Sequence, residues 1–235
     1  MPTQHISIDA GRLHPVSPQG KETRCAVIRA ALKHFHRHGF LDARVDQIAS
    51  DAGVGYGTFY KYFRGKRDLV RAILTEVYDD IGARRLALLR DAPRPLHERA
   101  YPDLLVILRS FYEHRDTLRV LDIAFGADTN LAGYLNQLEQ ELLTASTEII
   151  QSLAGESPKF DPRVTALAIN AAIDETARRW IRSGDLTGDP EQDEPRLREL
   201  ARALTAMCVS IIAPEELQRA LTVADRVDRQ RSLAG

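Results

Sequence analysis

From Lys21 to His38, apolar residues recur three and four positions apart: Ala26, Val27, Ala30, Ala31 and Phe35, with Ile28 and Leu32 in a second row. This spacing predicts an amphipathic helix, and Gly39 is placed to stop it. Val45, Ile48 and Ala49 give a second helix of about two turns that ends at Gly53. After Val54 and Gly55, Tyr56 to Phe63 forms another short segment. A longer helix starts near Lys66, with Leu69, Val70, Ile73, Leu74, Val77 and Ile81 on one face, and runs toward Arg90.

The pattern stays helical beyond Pro93 and Pro95. Pro102 suits the first turn of a helix carrying Leu105, Leu108, Phe111 and Tyr112. A short element follows from Thr117 to Phe125, then a long amphipathic stretch from Asn130 to Leu153. GESPKFDP interrupts, and Pro162 restarts a helix that runs to Ser183. The acidic loop GDLTGDPEQDEP separates it from a helix with Leu197, Leu200, Ala201, Leu204, Met207, Cys208 and Ile211 in a narrow seam. Pro214 opens a last polar helix, whose order or looseness the sequence leaves open. No strand pattern or internal repeat is legible, so the expected fold is all-α.

Two helices of about two turns each cannot stand alone in water, because nucleation costs more than so few hydrogen bonds return. They must pack, with Ala49, Val54, Phe59 and Phe63 turned inward. A short helix, a turn containing Gly53 and a second short helix make the helix-turn-helix pattern, whose second helix can lie in the major groove of DNA. Gly55 and Gly57 weaken a helix but clear side chains where a backbone must approach a surface closely. Thr58 and Tyr60 offer hydroxyls to phosphate oxygens. Lys61 and Lys66 offer charge, and the free N–H groups at the start of the next helix also favour an anion.

The sequence IASDAGVGYGTFYKYFRGK, with AALKHFHRHGF before it, resembles the tetracycline-repressor (TetR) family of bacterial transcription regulators from about Thr23 to Ile73. The resemblance implies an N-terminal three-helix DNA-binding domain over 21–66, after a flexible arm at 1–20. A larger helical ligand-binding and dimerisation domain would follow over 67–213, then a tail over 214–235. It implies that Gly55 to Lys61 is the recognition helix, with Tyr56, Gly57 and Thr58 nearest the bases. Thr58, Tyr60 and Lys66 would hold phosphates, and Gln47 would reach a base or a phosphate. The family often has Thr or Ser before Val45, whereas this chain has Arg44, a poor N-cap. That helix end is expected to lean on Asp46 in its first turn, or Arg44 to pair with a phosphate.

In the rear two-thirds the resemblance is architectural. The helix from Val164 to Ile181 is apolar on more than one side, as expected of a helix covered twice. With the α-helical seam that follows, it predicts a four-helix homodimer interface built on Leu167, Ala171, Leu197, Leu200, Leu204, Met207, Cys208 and Ile211. The dimer would present two readers to a palindromic operator in double-stranded DNA. The family's middle helices surround a pocket for a small-molecule effector, which points to Phe111, Phe125, Tyr134, Asn170, Asp174 and Trp180. Such a pocket is largely apolar with a few polar groups. Asp174 has an alternative role in pairing with Arg178 one turn later. The competing reading of this domain is a protein-interaction module without an effector.

Charge adds to this picture. The net charge of −1 hides a division: residues 21–71 hold eleven Lys and Arg against five Asp and Glu. A basic front suits a polyanion and the acidic remainder does not. His34 and His38 share a helical face at a metal-ligand spacing, but no third ligand accompanies them, so a solvated or phosphate-facing basic surface is expected and no metal. No catalytic or cofactor fingerprint occurs, so neither enzymatic activity nor a cofactor is expected. Cys25 and Cys208 are read as buried thiols, and the lack of a long apolar run or a secretory leader predicts a cytoplasmic chain with no membrane partner.

Overall fold

The computed structural model describes residues 17–89, 95–154, 159–183 and 187–232. Among these lie ten α-helices, one short 3₁₀ turn and no strand. The helices are α1 (Pro18–Asp42), α2 (Val45–Asp51), α3 (Tyr56–Tyr62), α4 (Lys66–Leu89) and α5 (Leu96–Glu113). They continue with α6 (Arg115–Ala127), α7 (Thr129–Ala154), α8 (Pro162–Ser183), α9 (Pro190–Ile212) and α10 (Leu217–Ser232). None of the described helices is long and apolar enough to cross a membrane. The chain forms two compact units. The first runs to Asp79 and takes in 114–138, while the second holds 80–113 and the chain from Glu139 onward.

Local chemistry sets the helix ends, and three of them differ from expectation. The arm was expected to reach residue 20, and residues 1–16 lie outside the described residues. At 17–20, however, the helix has begun: the Ser17 hydroxyl accepts from the Gly20 N–H, and Pro18 occupies the first turn. Helical geometry breaks at Gly39, whose φ of 75° suits glycine. Helix α5 starts at Leu96, not at Pro102, which sits inside it. An internal proline costs about 3 kcal/mol, but Leu96, Ala100 and Tyr101 are all buried, and their burial outweighs that penalty. Helix α9 begins within the expected acidic loop. Asp189 caps it by accepting from the Glu191 N–H, and Pro190 follows in the first turn.

In the first unit, α1 packs on α2 and on α6. Val27, Ala31, Ile48, Phe59, Phe63, Leu69 and Val70 are almost wholly buried there. In the second unit, α5 packs against α9 and α10. Tyr101, Leu105, Leu108, Tyr112, Leu197, Ala201, Leu204 and Cys208 form its core, with Trp180 packed against it. Cys208 is buried as expected, and burial pushes its thiol up to about 12. Cys25 is exposed, contrary to expectation, because it lies on the solvent side of α1.

The last polar segment, whose order the sequence left open, is docked. Ala220 and Ala224 of α10 are fully buried. Asp228 accepts from the Tyr101 hydroxyl at 2.5 Å, from Arg198 Nη1 at 3.0 Å and from Arg202 Nη2 at 2.6 Å. Burial opposes the charge on Asp228, but the hydrogen bonds from Tyr101 and Arg202 and the two guanidinium charges outweigh it. Its carboxyl is held below the usual range. A lowered folded-state pKa stabilises above the unfolded value, about 3.9, and that contribution is lost as pH falls through the folded value. Asp228→Asn is expected to lower stability by about 2 kcal/mol at neutral pH, the scale of hydrogen bonds to a charged group. Denaturant unfolding should show this deficit shrinking once the pH drops below about 4.

Candidate nucleic-acid interface

Helix α2 ends in a turn that glycine makes possible. The Gly53 N–H donates to the Ser50 carbonyl and the Val54 N–H to the Ala49 carbonyl, both at 3.0 Å. With Gly53 at φ 70°, this is a Schellman cap that satisfies the last carbonyls of the helix. Gly55 then takes extended geometry as the N-cap of α3, and its carbonyl accepts from Thr58 N–H at 2.8 Å. Phe59 and Phe63 anchor the segment in the core. Arg24 lies over the Phe63 ring, 5.6 Å from its centroid, and pairs with Glu76 of α4.

With Phe59 buried, α3 turns Gly55, Tyr56, Gly57 and Lys61 to solvent, and Thr58 and Tyr60 are half-buried. Tyr56 is 57 % exposed, much for so large an aromatic residue. Its ring meets Tyr60 edge-on at 4.9 Å, and the two hydroxyls are 3.1 Å apart. The hydrogen bond with Tyr56 raises the Tyr60 phenol above its ordinary pKa, so Tyr60 stays protonated at neutral pH. Gln47 is exposed on α2.

Arg44 gives α2 no side-chain cap, as its chemistry predicts. It forms a two-pronged pair with Asp46, Nε to Oδ1 at 3.1 Å and Nη2 to Oδ2 at 2.9 Å. This hydrogen bond lowers the Asp46 pKa. The pair is exposed, so its contribution to stability is small, and a phosphate would compete with Asp46 for the same guanidinium.

Lys66 is placed differently from a simple surface cation. Its ammonium donates to the Phe40 carbonyl at 2.8 Å and the Leu41 carbonyl at 2.6 Å, and it lies over the Phe40 ring. Burial lowers its pKa. Two of its three N–H bonds thus tie the end of α1 to the start of α4, and one is left over. No short-range sequence signal marks this contact, which joins positions far apart in the chain.

His34 also departs from expectation. It is buried, with Nε2 2.8 Å from Asp51 Oδ2, and so links α1 to the end of α2 instead of facing solvent. Among the described residues no three His, Cys, Asp or Glu side chains converge on a metal position. Sequence reading also passed over Arg29, Lys33 and Arg37, which line a surface cleft of about 330 Å³ with Ala26, Ala30, Asp51 and Ala52.

The expected pocket residues fall in both units. Phe125 and Tyr134 belong to the first, and Phe111, Asn170, Asp174 and Trp180 to the second. All six are half-buried. Arg178 donates to Glu139 at 2.9 Å. Asp174 has its carboxyl pushed up by burial, with the Glu139 charge adding to the rise and Arg178 opposing it.

The expected dimer residues separate into two groups. Leu197, Leu204 and Cys208 are 2 %, 5 % and 5 % exposed within the chain's own core. They cannot form an intersubunit seam, because α9 turns that face to α5 and α10. Leu200 and Met207 also pack against that core, and Ile211 is half-buried. Leu167 (57 % exposed), Ala171 and the neighbouring Val164 (63 %) instead make an apolar strip on α8 that the chain leaves open.

Comparison with known proteins agrees with this geometry. Residues 27–73 match the family model described as bacterial regulatory proteins, tetR family. The fatty acid metabolism regulator protein of Bacillus subtilis is 30% identical over 173 residues, covering 66% of this chain and 81% of that relative. A shorter match, 46% over 56 residues, links the chain to the uncharacterised regulator TtgW of Pseudomonas putida. It spans 24% of this chain and only 42% of that relative. Among solved structures, the fatty acid degradation regulator FadR of Bacillus halodurans superposes with a TM-score of 0.64 at 18% identity, over 81% of this chain and 96% of that one. The Gly53 turn, the buried Phe59 anchor and the matched segment around them lead to one assignment: the chain belongs to the TetR family of bacterial transcriptional regulators.

Proposed function

We propose that the chain is a homodimeric repressor that reads a palindromic operator with α3 and is released from it by a small-molecule effector. The observation that carries this reading is the exposed strip from Gly55 to Lys61, fixed from behind by Phe59 and bare of large side chains at both glycines. Tyr56, Gly57 and Thr58 meet the base edges. Tyr60, Lys61 and the remaining N–H of Lys66 hold phosphates, Gln47 adds a base or phosphate contact, and Arg44 exchanges Asp46 for a phosphate. The open strip on α8 with Val164, Leu167 and Ala171 supports pairing of two copies. A fatty acid metabolism regulator among the relatives supports an effector with a large apolar part. A coupling of about 1–3 kcal/mol between effector and operator suffices for a 5- to 150-fold change in affinity. Helix α4 belongs to both units, to the first up to Asp79 and to the second from Asp80. It is the element through which we expect that coupling to pass.

Selection of bound duplexes from a random DNA pool, followed by a salt series on the winner, tests the reading. A palindromic winner is expected, with log affinity falling linearly against log salt. Lys61→Ala should reduce that slope by about one per subunit. A random, non-enriched pool would overturn the proposal, and a screen of small molecules that finds none weakening operator binding would remove the effector.

Gly57→Ala separates reading from folding. Gly57 has open space around a would-be Cβ and lies inside a helix. Alanine should therefore stabilise the chain by about 0.5–1 kcal/mol, while operator affinity falls at least about tenfold as the added methyl meets the DNA surface. Leu167→Glu places a charge on the open α8 strip without touching the core. Light scattering should then report a monomer, and operator binding should weaken in parallel.

A further inference from the structure

Helix α4 carries Arg67, Arg71 and Thr75 one turn apart on one face. Arg67 is satisfied by Asp128, Nε to Oδ2 at 2.7 Å. Arg71 is not. Its Nε is buried without a hydrogen-bond partner, and no carboxylate among the described residues pairs with its guanidinium. Three other arginines of this unit are paired, Arg24 with Glu76, Arg44 with Asp46 and Arg67 with Asp128, and Arg29 and Arg37 face solvent. A charged donor buried without a partner is costly, and such a group in a native protein calls for an explanation, an absent ion being one.

The surroundings specify what such an ion would be. The guanidinium carbon lies over the Tyr134 ring, 5.0 Å from its centroid. Thr75 Oγ1 donates to the Arg71 carbonyl at 3.0 Å and is 3.4 Å from the Tyr134 hydroxyl. Either oxygen can donate in the longer contact. A shorter bond to an oxyanion would replace it. A planar fork on an aromatic face beside a phenol matches the two oxygens of a carboxylate or phosphate.

We propose that Arg71, seated on Tyr134, is an oxyanion site in the first unit and receives the carboxylate or phosphate end of the effector. This rests on the effector reading above and adds a head-group charge to its apolar body. Thr75 is a positioning residue, and Arg71 and Tyr134 make the contact.

The test uses the full chain with ¹⁵N-labelled arginine. Its Arg Nε–H signals are followed by NMR during titration with acetate and, separately, inorganic phosphate, at ionic strength held constant with chloride. The Arg71 signal, identified by its loss in Arg71→Lys, should shift saturably. Its midpoint should be at least tenfold lower than those of the exposed Arg29 and Arg37, and acetate against phosphate shows which head group fits. Operator affinity is then measured with decanoate, decyl phosphate and decanol. One of the two anions should weaken binding at least fivefold in the native chain and not in Arg71→Gln, with decanol inert.

An Arg71 signal that moves no more than that of Arg29 overturns the site, and the shift is read on the native chain, with Arg71→Lys used only to assign it. It leaves the effector reading intact, because the small-molecule screen tests that without regard to charge. An anion that binds Arg71 while neither amphiphile changes operator affinity overturns the effector role. So does an effector from the screen that acts equally on the native chain and on Arg71→Gln.

Discussion

The reading surface depends on the burial of one side chain from each of two very short helices. Helices α2 and α3 have seven residues apiece, too few to persist on hydrogen bonds alone. Ile48 and Phe59 are both fully buried, and burying a side chain of this size contributes about 1.5–3 kcal/mol. With Phe59 fixed inward, the helical period decides which residues face out. The exposure of Tyr56, Gly57 and Lys61 is therefore a consequence of packing.

Around that anchor, polar contacts set the frame in which the two helices are held. Lys66 ties the start of α4 to the end of α1 through two carbonyls, and His34 ties α1 to the end of α2 through Asp51. Each joins residues far apart in the chain and uses a cation or imidazole that could otherwise serve a ligand. Lys66 leaves one of its three donors outside that frame. Arg44 is similar: its pairing with Asp46 is exposed and weak, so a stronger anion can displace it.

The second unit is organised by a half-buried carboxylate as much as by its apolar core. Asp228 gathers Tyr101 of α5 and Arg198 and Arg202 of α9 onto α10. Asp193 does the same at the start of α9, accepting from the Tyr112 hydroxyl and from the N–H groups of Thr187 and Gly188. These contacts explain why a helix as polar as α10 is docked, and why α9 extends into a loop of acidic composition. They also keep the α9 seam inward, which leaves α8 to supply the open apolar strip.

The sequence by itself determined the all-α class, the helix-turn-helix with its Gly53 turn, the inward Phe59 and Phe63, and the uncapped start at Arg44. Each depends on residues within a turn or two of one another, where periodicity and capping rules apply directly. Only the tertiary structure decided that Pro102 lies inside α5, that His34 is buried and that α10 is docked. The same is true of the inward faces of Leu197, Leu204 and Cys208, and of an Arg71 left without a carboxylate. The physical reason is common to all of them. An amphipathic pattern states that a face is covered, not what covers it, and the partner of a charged side chain lies dozens of residues away, where no local spacing can point.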